Sequence, residues 1–324
     1  MAAPCVVGVD MGGTKLLAGA LDENLDVHHR AHRALAGLGR DEVLETAVAA
    51  VEELRTASDV ALGAVGFGIP CTIDRETGVA VLAVNLPLVD VPFGAIMTER
   101  LGLPVFVDND ANLAALAEHR HGAGVGTQTM AMLTIGTGIG GGLVLDGELF
   151  RGSQGAGAEF GHMVIDIDGP PCQGNCPNHG CLESVASGTA LAREATAAAV
   201  AAPGRAPSRA LASGREVTGP LVTELAHDGD ETAREVLALI GRRLGVGISN
   251  LVNGLNPDAV VMGGGVLGAG DLLLEPARVE LAARALPPGR DHVQVLPARF
   301  GAEAGMVGAA ALALDGLRDL GAPA

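Results

Sequence analysis

Three of the chain's five cysteines, Cys172, Cys176 and Cys181, fall within ten positions in the stretch "GHMVIDIDGPPCQGNCPNHGC", residues 161–181. His162 and His179 lie in the same stretch, and Glu159 and Glu183 flank it. Thiolate sulfur and imidazole nitrogen are the ligands a tetrahedral zinc ion prefers. Three cysteines with one histidine make a closed structural site, with no coordination position left open for catalysis. The Cys-x₃-Cys-x₄-Cys spacing in a loop of Gly, Pro and Asn predicts a structural Zn²⁺ on His162, Cys172, Cys176 and Cys181. The alternative is three reduced thiols without a metal, and His179 competes with His162 for the fourth place. His162 is preferred because it would come from a separate strand and tether the loop to the core. His179 would close the site on itself. A metal here would hold the loop so that Glu159 and Glu183 converge on one pocket.

A second set is "DNDAN", residues 108–112, which follows the apolar "VFV". A strand ending there would deliver Asn109 and Asp110 to a helix start facing a cleft. An aspartate at such a place can cap the helix. It can also accept the proton of an attacking hydroxyl in phosphoryl transfer, where the protein otherwise supplies positioning and charge neutralisation. Asp108 and Asp110 could divide capping and catalysis between them. Two carboxylates and an imidazole converging with Asn109 and Asp110 suit a polyhydroxylated ligand, whose hydroxyls donate to carboxylates and accept from amides.

The third set is glycine. "DMGGTK" (10–15), "GTGIGGG" (136–142) and "GGG" (263–265) each follow an apolar run. Glycine lets backbone N–H groups approach phosphate oxygens with no Cβ in the way. None matches the Walker or dinucleotide pattern, and each alone is also a plain tight turn. Together they point to a nucleotide held between two similar domains, with Asp10 facing Mg²⁺ across from the phosphates or simply capping its turn.

The elements that must carry these residues alternate. "CVVGVDMGGTKLLAGALD" (5–22) and "MAMLTIGTGIGGGLVLDG" (130–147) are two copies of one strand–glycine–strand device, which suggests a duplicated domain. Helical spacing runs over 40–54 and in "EAGMVGAAALALDGL" (303–317). Residues 231–257 read as a long amphipathic helix broken by Gly and Pro, and 197–220 as a surface connection or helical insert. Strands alternating with helices make the chain α/β.

Bulk properties narrow the function. At 324 residues, two domains are expected. With 38 acidic against 21 basic residues the net charge is −17, which argues against a nucleic-acid surface. No apolar run is long enough for a membrane span, and the N-terminus enters a strand too early for a signal peptide. A cytoplasmic location follows as an expectation, and reducing conditions favour metal ligation over disulfides. Cys5 and Cys71, in apolar contexts, read as buried small hydrophobes.

"DMGGTK", "VDNDAN", "LTIGTGIGGGLVLDGELFRGSQGAGAEFGH", the cysteine loop ending in "GCLE", "LNPDAVVMGGGV" and the closing "AGMVGAA" together resemble the ROK family of sugar kinases, most closely its bacterial glucokinases. The resemblance implies two ribonuclease-H-like, actin-like α/β domains with the active site in the cleft between them. The smaller would span 1–115 with the closing helix 301–324, and the larger, 116–300, would carry the zinc loop. It implies ATP-dependent phosphorylation of glucose at the 6-hydroxyl, with Asp110 as general base and Asn109, Glu159, His162 and Glu183 on the other hydroxyls. His162 would then place one ring nitrogen on zinc and the other toward the sugar. Asp10, Gly12, Gly13, Thr14, Lys15, Thr137 and Gly138 would face the phosphates and Mg²⁺, and Gly264 and Gly265 the adenosine. The family commonly shows Cys-x-Cys-x₄-Cys, so the first gap here is two residues longer. A homodimer or homotetramer is also implied.

Within that family the alternatives are N-acetylmannosamine or N-acetylglucosamine kinase and fructokinase, decided by the loop 68–87, where Thr72 and Asn85 have no assigned place. Polyphosphate is an alternative donor, but no basic channel for it is visible. A sugar-responsive repressor is the remaining class. Such proteins carry a helix-turn-helix before the first glycine hairpin, where only about four residues stand here.

Overall fold

The first apolar run, Cys5–Met11 (β1), is extended and almost wholly buried, as a central strand covered on both faces must be. The structure, a computed structural model, describes residues 5–74, 76–83, 85–201 and 203–321. β1 turns through Gly12 and Gly13 into antiparallel β2 (Lys15–Leu21), which pairs with β3 (Val27–Ala34). After α1 (Arg40–Ala57) comes β4 (Leu62–Ile69), parallel to β1. A small antiparallel sheet follows, of β5 (Cys71–Ile73), β6 (Ala80–Ala83) and β7 (Val89–Val91). Then α2 (Phe93–Leu101) leads to β8 (Val105–Asn109), parallel to β4.

α3 (Asp110–His121) opens the second half, which repeats the device with β9 (Met130–Ile135), β10 (Ile139–Leu145) and β11 (Glu148–Leu149). Residues 150–181 carry a single 3-10 turn, Phe160–His162. Helices α4 (Leu182–Ala186), α5 (Gly188–Ala201), α6 (Ala206–Ala212), α7 (Gly219–His227) and α8 (Glu231–Leu255) precede β12 (Ala259–Gly263). α9 (Asp271–Arg284), α10 (Gly289–His292), β13 (Gln294–Pro297) and α11 (Ala304–Asp319) complete the chain. The two large sheets run β3-β2-β1-β4-β8 and β11-β10-β9-β12-β13, the same order of directions in each. The duplication read from the two glycine hairpins is therefore present strand for strand.

One expectation fails. α8 is a single helix of 25 residues, not a broken one. Its glycines are packing points: a Cβ on Gly241 or Gly245 would strike the Leu273 or Ala277 carbonyl in α9, and one on Gly247 the Leu182 side chain. Glycine costs about 1 kcal/mol in a helix relative to alanine, and here the close approach offsets it. The helix stops at Asn256, left-handed at φ 47°, directly before Pro257. The 197–220 segment is a helical insert, as one of the two expectations had it.

α11 lies on the first sheet, so close that a Cβ on Gly8 or Gly66 would run into the Met306 or Ala309 carbonyl. The fully buried Glu118, near the end of α3, accepts the N–H groups of Ala123 (2.9 Å), Arg299 (3.0 Å) and Phe300 (2.8 Å). One carboxylate thus ties together the two connections between the halves. Cys5 and Cys71 are buried as expected. Among the described residues no helix is long and apolar enough to cross a membrane.

Candidate active site

β8 ends at Asn109, whose backbone is still extended (φ −66°, ψ 144°) while α3 begins at the next residue. The Asn109 Oδ1 accepts the N–H groups of Ala111 (3.0 Å) and Asn112 (3.1 Å). Asn109 is therefore the cap, and the division of labour expected between Asp108 and Asp110 is corrected: neither caps by the usual geometry. Asp108 turns into a buried pair with Arg151. Asp110, at the first helical position, accepts the N–H of Ala111 at 2.9 Å, and the helix N-terminus favours its charge.

Four carboxylates form a series. Burial pushes Asp10 from 3.8 up to about 7, the Asp110 charge adds to this, and the Lys15 ammonium opposes it. Burial also raises Asp110, against the pull of the Ala111 N–H, with Glu159 as the charge that adds to it. Glu159 is raised in turn by partial desolvation, although its side chain reaches solvent, with His162 opposing and Glu183 adding. Each acid feels the next, so the row runs from the first glycine turn, past the start of α3, to the cysteine loop. Such a row repels itself. It is suited to hydroxyl donors and to a divalent cation.

The cysteine loop has the geometry of a metal centre. Ligand atoms of His162, Cys172, Cys176 and Cys181 all lie within 4.8 Å of one another. The His162 Nδ1 is 3.5 Å from the Cys172 Sγ, and the Cys176 and Cys181 sulfurs are 3.8 Å apart. Burial and the neighbouring sulfurs push the Cys172 thiol up, so three thiolates together call for a cation. Soft donors in this number fit Zn²⁺, and the longer first cysteine gap does not keep Cys172 out of the group. His179 stands apart, exposed, with its Nδ1 3.4 Å from the Gly169 carbonyl oxygen. His162 sits in a 3-10 turn and not in the strand expected for it. Its Nε2 points the other way, 4.0 Å from the Glu159 Oε2.

The glycine turns divide into those that bend and those that make room. Gly12 donates to the Lys15 carbonyl at 2.8 Å, and Thr14 accepts the Leu35 N–H at 2.8 Å. Lys15 is exposed at the start of β2 and is the chain's one lysine. Asn85, unplaced by the sequence, packs on this turn, since a Cβ on Gly13 would lie 2.6 Å from the Asn85 Cβ. Thr72 faces Leu82 across β5 and β6, beside Cys71, whose carbonyl accepts the Asn109 Nδ2 at 3.5 Å. In the second turn, a Cβ on Gly138 would strike the Glu183 carboxylate, and the Ile139 N–H donates to Glu183 Oε2 at 2.8 Å. Glu183 and the second glycine turn are thus one unit. The Thr137 carbonyl accepts the Thr189 hydroxyl at 2.8 Å. Gly264, at φ 90°, ends β12 against the Ile135 carbonyl, and Gly265 opens the next 3-10 turn.

Sequence reading passed over Arg151, Asn112 and Gln173. Arg151 pairs with Asp108, Asn112 Nδ2 donates to Asp108 Oδ1 at 3.1 Å, and Gln173 Nε2 donates to the Ser187 hydroxyl at 3.2 Å. A lone arginine in the glycine-rich "RGSQGAGAEFGH" of an acidic chain was the available signal for the first.

The family model described as "ROK family" matches residues 6–316. A glucokinase of Halalkalibacterium halodurans is 39% identical over 300 residues, covering 91% of this chain and 81% of that protein. A glucokinase of Streptomyces coelicolor is 36% identical, over 95% of this chain and 97% of that one. The crystal structure of a ROK family glucokinase from Streptomyces griseus in complex with glucose and AMPPNP superposes with a TM-score of 0.84. It is 35% identical and covers 96% of this chain and 99% of that one. The mixed α/β architecture is that of these actin-like sugar kinases. From strand order to overall identity, the chain belongs to the ROK family.

Proposed function

We infer that the chain is an ATP:hexose 6-phosphotransferase that phosphorylates glucose, giving glucose 6-phosphate and ADP. The observation that carries the reading is Asp110, set electrostatically between Asp10 of the first glycine turn and Glu159 of the segment that leads to the cysteine loop. A base that must meet both a sugar and a triphosphate belongs there. The relatives' activity supports the choice of glucose.

Asn109, Glu159, His162 Nε2 and Glu183 hold the sugar's hydroxyls and leave the 6-hydroxyl over Asp110. Asp110 accepts that proton as the oxygen forms its bond to the γ-phosphorus. The bond from phosphorus to the bridging oxygen breaks, and ADP leaves with its electron pair. Backbone N–H groups of Gly12, Gly13, Thr14 and of Thr137 and Gly138 receive the phosphates with the Lys15 ammonium, and Gly264 and Gly265 flank the adenosine. Asp10 would hold Mg²⁺, which would supply charge neutralisation at the phosphates, and His162, Cys172, Cys176 and Cys181 would hold a structural Zn²⁺, which would supply a fixed anchor for the loop. The larger lobe is taken to run from within α3 to β13, with α11 completing the smaller. The enzyme is read as a cytoplasmic homo-oligomer.

A coupled ADP-release assay over glucose, mannose, fructose and the N-acetylhexosamines, with ATP and polyphosphate as donors, tests the reading. Glucose with ATP should give the highest kcat/KM. A higher value for an N-acetylhexosamine or fructose would replace the substrate assignment.

A further inference from the structure

We propose that the buried Arg151–Asp108 pair is a positioning device: it locks the segment that carries Glu159, from the second half, onto the Asn109–Asp110 shelf of the first. The inference rests on the kinase reading for its consequence but not for its geometry. Asp108 is only 5% exposed, one residue before Asn109 and two before Asp110. Both its oxygens are engaged. Oδ1 accepts the Asn109 N–H at 2.8 Å and the Asn112 Nδ2 at 3.1 Å, and Oδ2 accepts the Arg151 Nε at 2.5 Å. The Arg151 Nη1 also donates to the Leu149 carbonyl at 3.3 Å.

From Arg151 the chain folds back on itself and is pinned along its length. The Gly157 N–H donates to the Arg151 carbonyl at 2.8 Å. Gly155, at φ 76°, lies so close to Ile73 that a Cβ would strike that residue's carbonyl in β5. Ala158, directly before Glu159, is left-handed at φ 62°, a conformation that an alanine holds only when its surroundings impose it. Its carbonyl abuts Gly141 of β10 and accepts the Phe160 N–H at 2.7 Å. Of these contacts, the one at Ile73 reaches across to the first half, as the Arg151–Asp108 pair does. The strained residue is the one that sets the direction of Glu159.

Stability alone is a poor reason for such a pair. A buried ion pair is often replaceable by apolar groups of the same size without loss, because desolvating both charges offsets their attraction. What a hydrogen-bonded pair supplies is a fixed geometry, and the two backbones it fixes are those of the sugar-holding and proton-accepting groups. Misplacement by about 1 Å can reduce a rate by roughly 100-fold.

The experiment compares wild type, Arg151→Ala, and the double variant Asp108→Asn/Arg151→Met, in which no buried charge is left unpaired. For Arg151→Ala, the glucose KM should rise and kcat fall, each about tenfold or more, with the ATP KM within about twofold. Amide hydrogen exchange should accelerate in residues 152–160. The double variant should recover the wild-type unfolding midpoint and still lack its glucose kcat/KM. Recovery of both together would reduce the pair to a structural role and overturn the proposal, as would unchanged exchange at 152–160 in the variants. Should Arg151→Ala fail to fold, the double variant alone decides. If wild type phosphorylates no hexose, the kinase reading falls, and the exchange comparison still judges the lock.

Discussion

Laid over one another, the sheets β3-β2-β1-β4-β8 and β11-β10-β9-β12-β13 match in strand order and direction and differ most in length at the first edge strand, which has eight residues in β3 and two in β11. In the first half the chain stays with its sheet, and β3 pairs with β2 along its full length. In the second it leaves after Leu149 and, apart from the 3-10 turn Phe160–His162, has no helix or named strand before α4. Arg151, Glu159, His162, the three clustered cysteines and Glu183 all lie on that detour or just past its end. The symmetric parts are thus read as handling the phosphates twice over, once from each half. On the proposed function, recognition of the sugar is assigned to the place where the symmetry is broken. An irregular segment cannot hold a ligand geometry by backbone ladders, which explains why this one is tied down by thiols, an ion pair and a strained turn.

The comparison can be tested by damaging each half in turn. The largest effect belongs to Asp110, where the first half meets the detour. Asp110→Asn should lower kcat by roughly 10²- to 10⁴-fold while glucose affinity by calorimetry stays within about threefold. Near-normal turnover would remove Asp110 as the base.

Next comes the detour's own anchor. Cys181→Ser, or prolonged chelation, should release bound zinc, measured by elemental analysis, and raise the glucose KM by about tenfold or more, leaving the ATP KM little changed. Freshly purified active protein without zinc would end the metal assignment.

The two glycine turns give a matched pair with a smaller expected effect. A Cβ on Gly12 would stand 3.4 Å from the Lys15 carbonyl oxygen, an ordinary contact, whereas one on Gly138 would displace the Glu183 carboxylate. Gly138→Ala should raise the glucose KM about tenfold, and Gly12→Ala should leave it within about twofold. Equal effects on glucose would show that the second turn is not coupled to the sugar side.

The smallest effect is on stability. In the folded chain Asp10 is raised from 3.8 to about 7 by burial, so between those values it keeps a proton that the unfolded chain has released. Folding is then opposed progressively as pH rises through that window, and fully above it. Asp10→Asn removes the penalty. Its melting temperature should match wild type near pH 4 and exceed it by a few degrees above pH 7, as calorimetry across the range would show.

Much of this was legible in local sequence. The paired glycine hairpins, the strand and helix around "DNDAN", and the crowding of three cysteines are short-range patterns fixed by backbone sterics and ligand chemistry, and each stands where it was read. The preference for His162 over His179 agrees with the structure, though its expected strand is a 3-10 turn. Other readings failed because the deciding contact lay far away in sequence. The glycines of α8 looked like breaks until α9 and α4 were seen packed against them.

Composition and spacing by themselves settled an α/β chain built twice over, a cluster of soft donor side chains and acidic residues beside glycine turns. Those features follow from what each residue type can do within a few positions of itself. Only the tertiary structure decided that Asn109 caps α3, that Glu118 joins both connections between the halves, and that Arg151 meets Asp108 across them. Hydrogen bonds and ion pairs between distant segments depend on where folding brings each donor. The residue types leave that open until the two halves are packed together.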